Sequence, residues 1–403
     1  MRVLSIGSDR KLFEEGSAVR ARVVRYASLF EELHVVVFNT GVFAKTQIAP
    51  NAWLYPTNSW SRWFYVWGAV RIGSRIIRTT RVAEVAIELG KSEKSMVNDW
   101  VIDCQDPFEC GLAAMKLSKK KAVPLHIQIH TDFLNPYFAS LSFLNRIRVR
   151  IARRVLPQAQ AIRVVSQRIK DSLLQTIPLR GISRRETSYK LKTVPTVLPI
   201  FTDIQRFTSA QPLFDLKQKY PAWSFILLVA GRFSEEKNFV FAIEVLKQLV
   251  KKYPKTGLVI VGEGPLRGEL ERAVWRAGLY EHVAFEPWQS DLISYYKTAN
   301  LFLQTSLYEG FGLALLEAVA CGCPSVSSDV GIAPELLNHK GHSFVCPVND
   351  SECFISKVSG LIEDNQLRTF FSLDVAPSVI IPFLKTKEAY LAAYKESLEG
   401  SLG

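Results

Sequence analysis

Short apolar runs punctuate this chain at regular intervals, each followed by a longer segment whose apolar residues recur at helical spacing. In the first half the runs are Val3–Ile6, Leu33–Phe38, Trp100–Asp103, Leu125–Ile129 and Ala161–Val165. In the second half they are Phe225–Ala230, Leu258–Val261, Val283–Phe285, Leu301–Gln304 and Ser325–Ser327. Continuous apolar character marks strands buried on both faces, and their alternation with helices marks βα units feeding a parallel sheet. Between the two series lies a polar, basic stretch, 166–192, that reads as a helix and a loop. TVPTVLPIFTD follows and reads as a strand bounded by prolines, so the domain change is placed near Pro195. The pattern predicts two doubly wound α/β domains.

A length of 403 residues, 48% of them hydrophobic, leaves each domain enough apolar material for its own core. The net charge of +12 is unevenly spread. Residues 1–200 hold 31 Lys and Arg against 15 Asp and Glu, the remainder 19 against 23, so the halves carry +16 and −4. A basic half faces something anionic: a membrane surface, a phosphorylated substrate or nucleic acid. Cys104, Cys110, Cys321, Cys323, Cys346 and Cys353 show no paired zinc spacing and read as reduced cytosolic thiols. The opening MRVLSIGSDR fits a first core strand better than a signal peptide, so a cytoplasmic location is expected.

Candidate chemistry centres on Thr305–Cys321, TSLYEGFGLALLEAVAC. Gly310 and Gly312 make a turn poor in side chains, and Leu313 to Ala320 reads as a helix whose first N–H groups point at that turn, a ready anion site. Glu309 lies just before the turn, where it can accept hydrogen bonds from sugar hydroxyls. Glu317 sits a turn into the helix among apolar residues and suits the paired hydroxyls of a ribose. On spacing alone, a surface carboxylate before a tight turn and a second one on a helix's solvent face is the favoured reading, and a basic motif upstream tilts the balance toward a ligand site. Upstream, AGRFSEEKN places Arg232 and Lys237 just past a strand end, two cations able to neutralise a diphosphate and stabilise it as a leaving group. VGEGPLRGEL, with Gly262, Gly264 and Gly268, approaches a dinucleotide fingerprint, but its third glycine is one place late.

In the first half Gly16 and Ser17 open a helix after the first strand and can offer backbone donors, although an ordinary strand-to-helix loop explains them as well. QIHTDF puts His130 and Asp132 at the carboxyl end of a strand, where ligands sit in open α/β sheets, and QDPFE (Gln105 to Glu109) ends the preceding strand. A structural histidine satisfied by backbone is the alternative for His130. Residues 60–81 combine Trp60, Trp63, Phe64, Tyr65 and Trp67 with Arg71, Arg75 and Arg78 at helical spacing. Arg146, Arg148, Arg150, Arg153 and Arg154 interleave with Leu144, Ile147, Ile151 and Val155. Such helices suit an anionic lipid surface, or they are core helices with a solvated basic face.

GRFSEEKN, VGEGPLR, EPWQSD, SLYEGFGLALLEAVACGCPSV and SSDVGIAPELL, in this order over most of 225–350, resemble glycosyltransferase family 4. The resemblance implies the GT-B fold, two Rossmann-like domains facing a central cleft: an acceptor domain over 1–195, a nucleotide-sugar domain over 196–384, and a last helix, 385–403, crossing back. It implies a retaining transferase that uses a nucleoside diphosphate sugar without a metal or other cofactor. By the match, Arg232 and Lys237 hold the diphosphate, Glu309 contacts the donor sugar and Glu317 the ribose. Phe311, Gly312 and Leu313 supply backbone contacts, Pro287 and Trp288 lie near the nucleobase, and His130 touches the donor sugar. The glycine pair of the family's first loop is here Gly16 preceded by Glu15.

The expectation is a hexosyltransferase acting on a saccharide or lipid-linked acceptor, in peripheral contact with an anionic membrane and not with nucleic acid. Rival readings are a nucleotide-sugar epimerase or hydrolase of the same fold, an NAD-dependent oxidoreductase using the Gly262–Gly268 loop, and a basic nucleic-acid-binding protein.

Overall fold

A computed structural model describes residues 1–87, 99–177 and 190–402, the side chains of 80–87 excepted. Most of the basic loop expected within 166–192 lies outside these residues. The chain divides into two compact units, Met1–Leu198 with Glu388–Gly403, and Pro199–Lys387.

The first unit begins with β1 (Arg2–Gly7), α1 (Ala18–Ala27), β2 (Glu32–Val37), β3 (Thr46–Ala49), β4 (Ala52–Pro56) and α2 (Tyr65–Ile87). It continues with β5 (Trp100–Cys104), α3 (Glu109–Lys121), β6 (Leu125–Ile129), α4 (Pro136–Leu141), α5 (Phe143–Val155), β7 (Ala161–Val164), α6 (Gln167–Thr176) and β8 (Thr196–Val197). The strands form one sheet in the order β3-β4-β2-β1-β5-β6-β7-β8. Only β3 is antiparallel, hairpinned to β4. This edge hairpin has no long apolar run and was not anticipated. Of TVPTVLPIFTD, read as a strand, only Thr196–Val197 pairs. The flanking Pro195 and Pro199 carry no N–H with which to extend the ladder.

Connection geometry decides which helix covers which face. The path from β1 to β2 runs one way across the sheet, and the paths from β4 to β5, β6 and β7 run the other way. Right-handed crossovers therefore put α1 on one face and α2, α3 and α5 on the other. Neighbouring side chains of β1 point to opposite faces accordingly. Leu4 packs beneath α2 and α3, close to Gly73 and Leu117. On the α1 face, Ser5 donates a 2.9 Å hydrogen bond to Asp103.

The second unit holds α7 (Ile204–Ser209), α8 (Leu216–Lys219), β9 (Phe225–Ala230), α9 (Phe239–Lys252), β10 (Thr256–Val261), α10 (Arg267–Ala277), β11 (Val283–Glu286), α11 (Ile293–Thr298), β12 (Leu301–Gln304) and α12 (Leu313–Ala320). After these come β13 (Ser325–Ser328), α13 (Ala333–Leu337), β14 (Asn338–His339), β15 (His342–Ser343), β16 (Val345–Cys346), α14 (Ser351–Glu363), α15 (Asn365–Phe370) and α16 (Ala376–Val379). Its sheet is wholly parallel, β11-β10-β9-β12-β13-β16, while β14 and β15 form a separate hairpin.

The final helix, α17 (Lys387–Glu399), packs on the α1 face of the first unit, where the Tyr394 ring stacks on Tyr26 at 4.5 Å. The hydroxyl of Tyr394 accepts from Gln128 at 3.1 Å and that of Tyr390 from Arg163 at 3.0 Å. Gln128 and the Nδ1 of His126 both donate to Asp103, the latter at 2.7 Å, so buried polar groups of three strands are linked around this helix, while the buried Nε2 of His126 has no partner among the described residues.

One expectation is overturned. Cys346 and Cys353 form a disulfide instead of remaining reduced, because β16 turns straight into α14 and brings their Cα atoms to 5.8 Å. Asp350 fixes that turn by accepting the Cys353 N–H at 2.9 Å. Cys104, Cys110, Cys321 and Cys323 are free thiols. Among the described residues no helix is long and apolar enough to cross a membrane.

Candidate active site

The second unit gathers its polar groups where β9, β10, β12 and β13 end. After β9 the chain passes Gly231 and Arg232 into a single 3-10 turn, Glu235–Lys237. Gly231 takes a φ of +151°, which favours glycine, and the aliphatic stem of Lys237 lies in ordinary contact across this position. The β10 end supports the same turn through Gly262 and Gly264. A Cβ on Gly262 would sit 1.9 Å from the Gly231 carbonyl oxygen, and one on Gly264 would sit 2.5 Å from that of Phe233. Two of the three glycines that mimic a dinucleotide fingerprint, Gly262 and Gly264, therefore seat the Arg232–Lys237 loop by backbone contact.

The loop after β12 is tied to this turn. Thr305 donates to the Lys237 carbonyl at 3.0 Å, and the Leu307 N–H donates to the Glu236 carbonyl at 2.8 Å. These ties bring the Lys237 ammonium within 2.5 Å of Glu309 Oε1, which also accepts from Ser306 at 2.8 Å. The two side chains are only 22% and 13% exposed, so the pair is partly desolvated and removing either partner strands a charge. Lys237 keeps further N–H donors for another anion. Arg232, on the same loop, is exposed and its side chain has no partner among the described residues.

Glu309 leads through Gly310 and Phe311 to Gly312, whose φ of +99° caps α12 without a capping side chain. A left-handed cap is easy only for glycine, and the uncapped first turn leaves N–H groups and the positive helix end facing the loop. From the far side Gly331 holds the loop. A Cβ there would meet the Phe311 carbonyl oxygen at 2.3 Å, and the next N–H, from Ile332, bonds that oxygen at 2.9 Å. The Phe311 ring is buried and Leu313 is partly exposed.

Glu317, one turn into α12, receives a 3.2 Å hydrogen bond from Tyr296. Burial raises its pKa to about 7, with Asp291 adding to the rise while the Tyr296 hydrogen bond and Arg206 oppose it. At the end of β11, Pro287 is exposed and Trp288 is 57% exposed, an open apolar ring beside the strand end. Glu286 anchors that end by accepting from Lys219 at 2.5 Å, Tyr295 at 3.3 Å and Tyr220.

Lys237, Glu309, the Gly310–Leu313 turn and Arg232 thus lie on adjoining loops of one unit, with Glu317 a turn beyond. His130, Gly16 and Ser17 belong to the other unit. His130 follows the last residue of β6 and is exposed; protein packed around the ring, then Arg163, lowers its pKa, with Asp103 opposing and Arg22 adding to the fall. Beside it, buried Asp132 leaves Oδ1 without a partner, and burial raises its pKa to about 6. Ser17 caps α1 by accepting the Arg20 N–H, while its own N–H reaches the Glu14 carbonyl at 3.4 Å, so its backbone donor is engaged. Gly16 has φ +77° and open space around it. Glu109, placed in the same neighbourhood by sequence, is taken by Arg148 at 3.1 Å.

Sequence reasoning missed the supports: Ser306, Tyr296, Glu286 and Gly331. Ser306, Glu286 and Gly331 all lie inside quoted motifs, but their supporting roles depend on how the loops fold back; Tyr296 acts on Glu317, 21 residues away, and lies in none of them. Among the described residues no cluster of three or more His, Cys, Asp or Glu side chains is arranged to hold a metal ion.

Comparison with known proteins fits this geometry. The chain is 28% identical over 178 residues to the Escherichia coli UDP-Gal:alpha-D-GlcNAc-diphosphoundecaprenol alpha-1,3-galactosyltransferase, covering 43% of this chain and 46% of that protein. It is 30% identical over 184 residues to a Mycobacterium tuberculosis GDP-mannose-dependent alpha-(1-6)-phosphatidylinositol dimannoside mannosyltransferase, covering 45% and 47%. The alignments thus span about half the length of these relatives. Among solved structures, Anabaena Alr3699/HepE in complex with UDP and glucose superposes with a TM-score of 0.69 at 18% identity, over 100% of this chain and 99% of that one. Sucrose-phosphate synthase from Thermosynechococcus elongatus does so at 0.69 and 18%, over 98% of each. Likeness at that identity establishes the fold: this chain has the GT-B fold, and residues 215–372 of its second unit match the family model of glycosyl transferases group 1.

Proposed function

We propose that this protein is a retaining, family 4 glycosyltransferase that moves a hexose from a nucleoside diphosphate sugar, with UDP or GDP as the carrier, to a hydroxyl of a saccharide or lipid-linked acceptor during glycan, polysaccharide or glycolipid assembly. The observation that carries this reading is the Lys237–Glu309 pair beside the uncapped start of α12, inside the segment that matches group 1 glycosyl transferases. A diphosphate fits there because Lys237, Arg232 and the first N–H groups of α12 offer positive charge without rearrangement. Glu309 then accepts from sugar hydroxyls, Glu317 from the ribose, and Trp288 offers a face to the base.

In the proposed reaction the bond from the anomeric carbon to the diphosphate oxygen breaks, and that carbon bonds to the acceptor oxygen on the same face. The acceptor proton passes to the departing phosphate oxygen. Lys237 and Arg232 stabilise the diphosphate as negative charge builds on it, which is work a divalent ion would otherwise do, so the reaction is proposed to need no metal. His130, neutral and in the first unit, is proposed to hydrogen-bond the donor sugar. The acceptor binds the first unit, and the +16 charge of residues 1–200 supports peripheral contact with an anionic membrane at the cytoplasmic face.

The deciding experiment is a thermal-shift screen of UDP- and GDP-sugars followed by transfer assays with the stabilising donor. A ligand at a hundred times its dissociation constant raises stability by about 2.7 kcal/mol. Stabilisation by a nucleotide sugar, with transfer that requires an acceptor, is expected. Turnover without acceptor would favour the epimerase or hydrolase, and stabilisation by NAD alone the oxidoreductase.

A further inference from the structure

The sequence shows two separate basic stretches, but the fold brings them into one layer. Helices α2 and α5 flank α3 on the same face of the first sheet. Their contact is close: a Cβ on Gly73 of α2 would lie 2.5 Å from Leu117 of α3, and one on Gly111 of α3 would lie 3.0 Å from Val155 of α5. Arg71, Arg75 and Arg78 are exposed along α2. Lys116, Lys119 and Lys120 are exposed on α3, between the other two helices. On α5 the exposed cations are Arg146, Arg150, Arg153 and Arg154, one helical stripe. Helix α5 contains no acid, and the one acid of α3, Glu109, is already paired with Arg148. Helix α2 carries one acid, Glu84, near its end, so the three helices together hold a large excess of positive charge.

Large apolar side chains stand at one edge of it. Every crossover helix of a parallel sheet starts where strands end, so α2 and α5 begin at the same edge. There Trp60 is 91% exposed, Trp63 93% and Trp67 61%, with the Arg71 guanidinium 5.0 Å from the Trp67 ring. At the start of α5, Phe143 is 70% and Leu144 48% exposed. Helices packed side by side lie roughly 8–10 Å apart, so the two apolar groups sit about 20 Å from each other with the start of α3 between them and its lysines toward the opposite edge.

We propose that the α2–α3–α5 layer is a docking face for an anionic lipid bilayer, its cations on the headgroups and its tryptophans and Phe143 inserted at the headgroup boundary. Charge complementarity alone suits a polyanion of any kind. The exposed indoles select a bilayer, because amphipathic rings beside basic helices match the headgroup zone, where one end is apolar and the other wet. Because the anchoring edge is the one where the strands of the acceptor unit end, docking carries that edge toward the membrane. This orientation rests on the reading of the first unit as the acceptor side; lipid binding itself does not.

The test uses the full chain and vesicles of phosphatidylcholine with or without phosphatidylglycerol, read by co-sedimentation and tryptophan emission, with no substrate present. Binding is expected only with phosphatidylglycerol, with release in high salt and a blue shift that Trp60→Ala/Trp63→Ala/Trp67→Ala abolishes. Each Lys or Arg near an anionic surface contributes about fivefold in affinity, so Arg150→Glu/Arg153→Glu/Arg154→Glu and Arg71→Glu/Arg75→Glu/Arg78→Glu should each weaken binding roughly a hundredfold or more. The milder Arg150→Gln/Arg153→Gln/Arg154→Gln guards against misfolding and should still lose most of the affinity. No binding by the wild type, binding indifferent to the α5 variants, or salt-sensitive binding to RNA or DNA but not to vesicles would each overturn the proposal. Thermal stabilisation by nucleotide sugars, measured on the same variants, reports separately on the transferase reading.

Discussion

Tyr296, whose side chain is completely buried, donates a 3.2 Å hydrogen bond to Glu317 on the neighbouring helix, and it is the one hydrogen bond that carboxyl group receives from a side chain among the described residues. One hydrogen bond does not replace the water lost by a carboxylate among Leu315, Leu316 and Val319, so Glu317 titrates near 7 instead of its usual 4.5. The carboxyl group has room for a second donor, the part that the proposed function gives to a ribose diol.

That shift fixes a pH dependence. The folded protein holds a proton on Glu317 that the unfolded chain releases above about pH 4.5, so this group lowers stability as pH rises from there to about 7, by up to about 3 kcal/mol, and adds nothing further beyond. Glu317→Gln should lose this slope and be more stable than wild type at pH 8 by a wider margin than at pH 5, as read by urea denaturation. Binding of the donor nucleotide should weaken as pH falls through 7, because the neutral acid accepts poorly from the diol. Identical slopes in the two proteins would show that Glu317 is not the titrating group.

Lys237 and Glu309 face each other across two loops, and in the proposed reaction they act on different parts of the donor. Lys237→Ala and Glu309→Gln should each lower turnover roughly a hundredfold or more while leaving the circular dichroism spectrum in place. The split between kcat and KM is informative: Lys237 stabilises a charge that grows during reaction, so its loss should fall mainly on kcat. Wild-type turnover in both variants would remove the site assignment.

A chelator checks the charge inventory. With Arg232, Lys237 and the α12 start supplying the positive charge, turnover in excess EDTA is expected to match the untreated protein. Loss that magnesium or manganese restores would place a metal in the reaction.

The Cys346–Cys353 bridge closes a loop with a sequence separation of 7. For so short a loop, chain entropy gives a stabilisation of about 2 kcal/mol. Cys346→Ser/Cys353→Ser should lower the unfolding free energy by that amount, and a dithiol reductant should destabilise the wild type but not the variant. Asn349, within the loop, accepts from Asn238, the neighbour of Lys237, at 2.8 Å, so turnover of the double variant also tests whether this brace reaches the Lys237 turn.

What the sequence determined by itself is what local physics writes into short windows. Strands such as Phe225–Ala230 are legible because a strand buried on both faces is continuously apolar, whereas Leu125–Ile129 alternates, with His126 and Gln128 buried as polar groups. Helix α12 is legible at both ends because Gly312 supplies the left-handed cap and the Gly322 turn follows the last residues. Arg232, Lys237, Glu309 and Glu317 stand out because charged groups beside glycine turns at strand ends have few structural uses. Tertiary structure decided the rest, because it depends on partners far apart in the chain. No local pattern could say that Lys237 meets Glu309, that Gly262 exists for the carbonyl of Gly231, or that Tyr296 alone serves Glu317. The Cys346–Cys353 bridge needed the angle between β16 and α14, and the β3–β4 hairpin needed an edge to pair with. The basic helices show it most plainly: their charges are in the sequence, but the handedness of the crossovers puts α2, α3 and α5 on one face and so turns separate stripes into one surface.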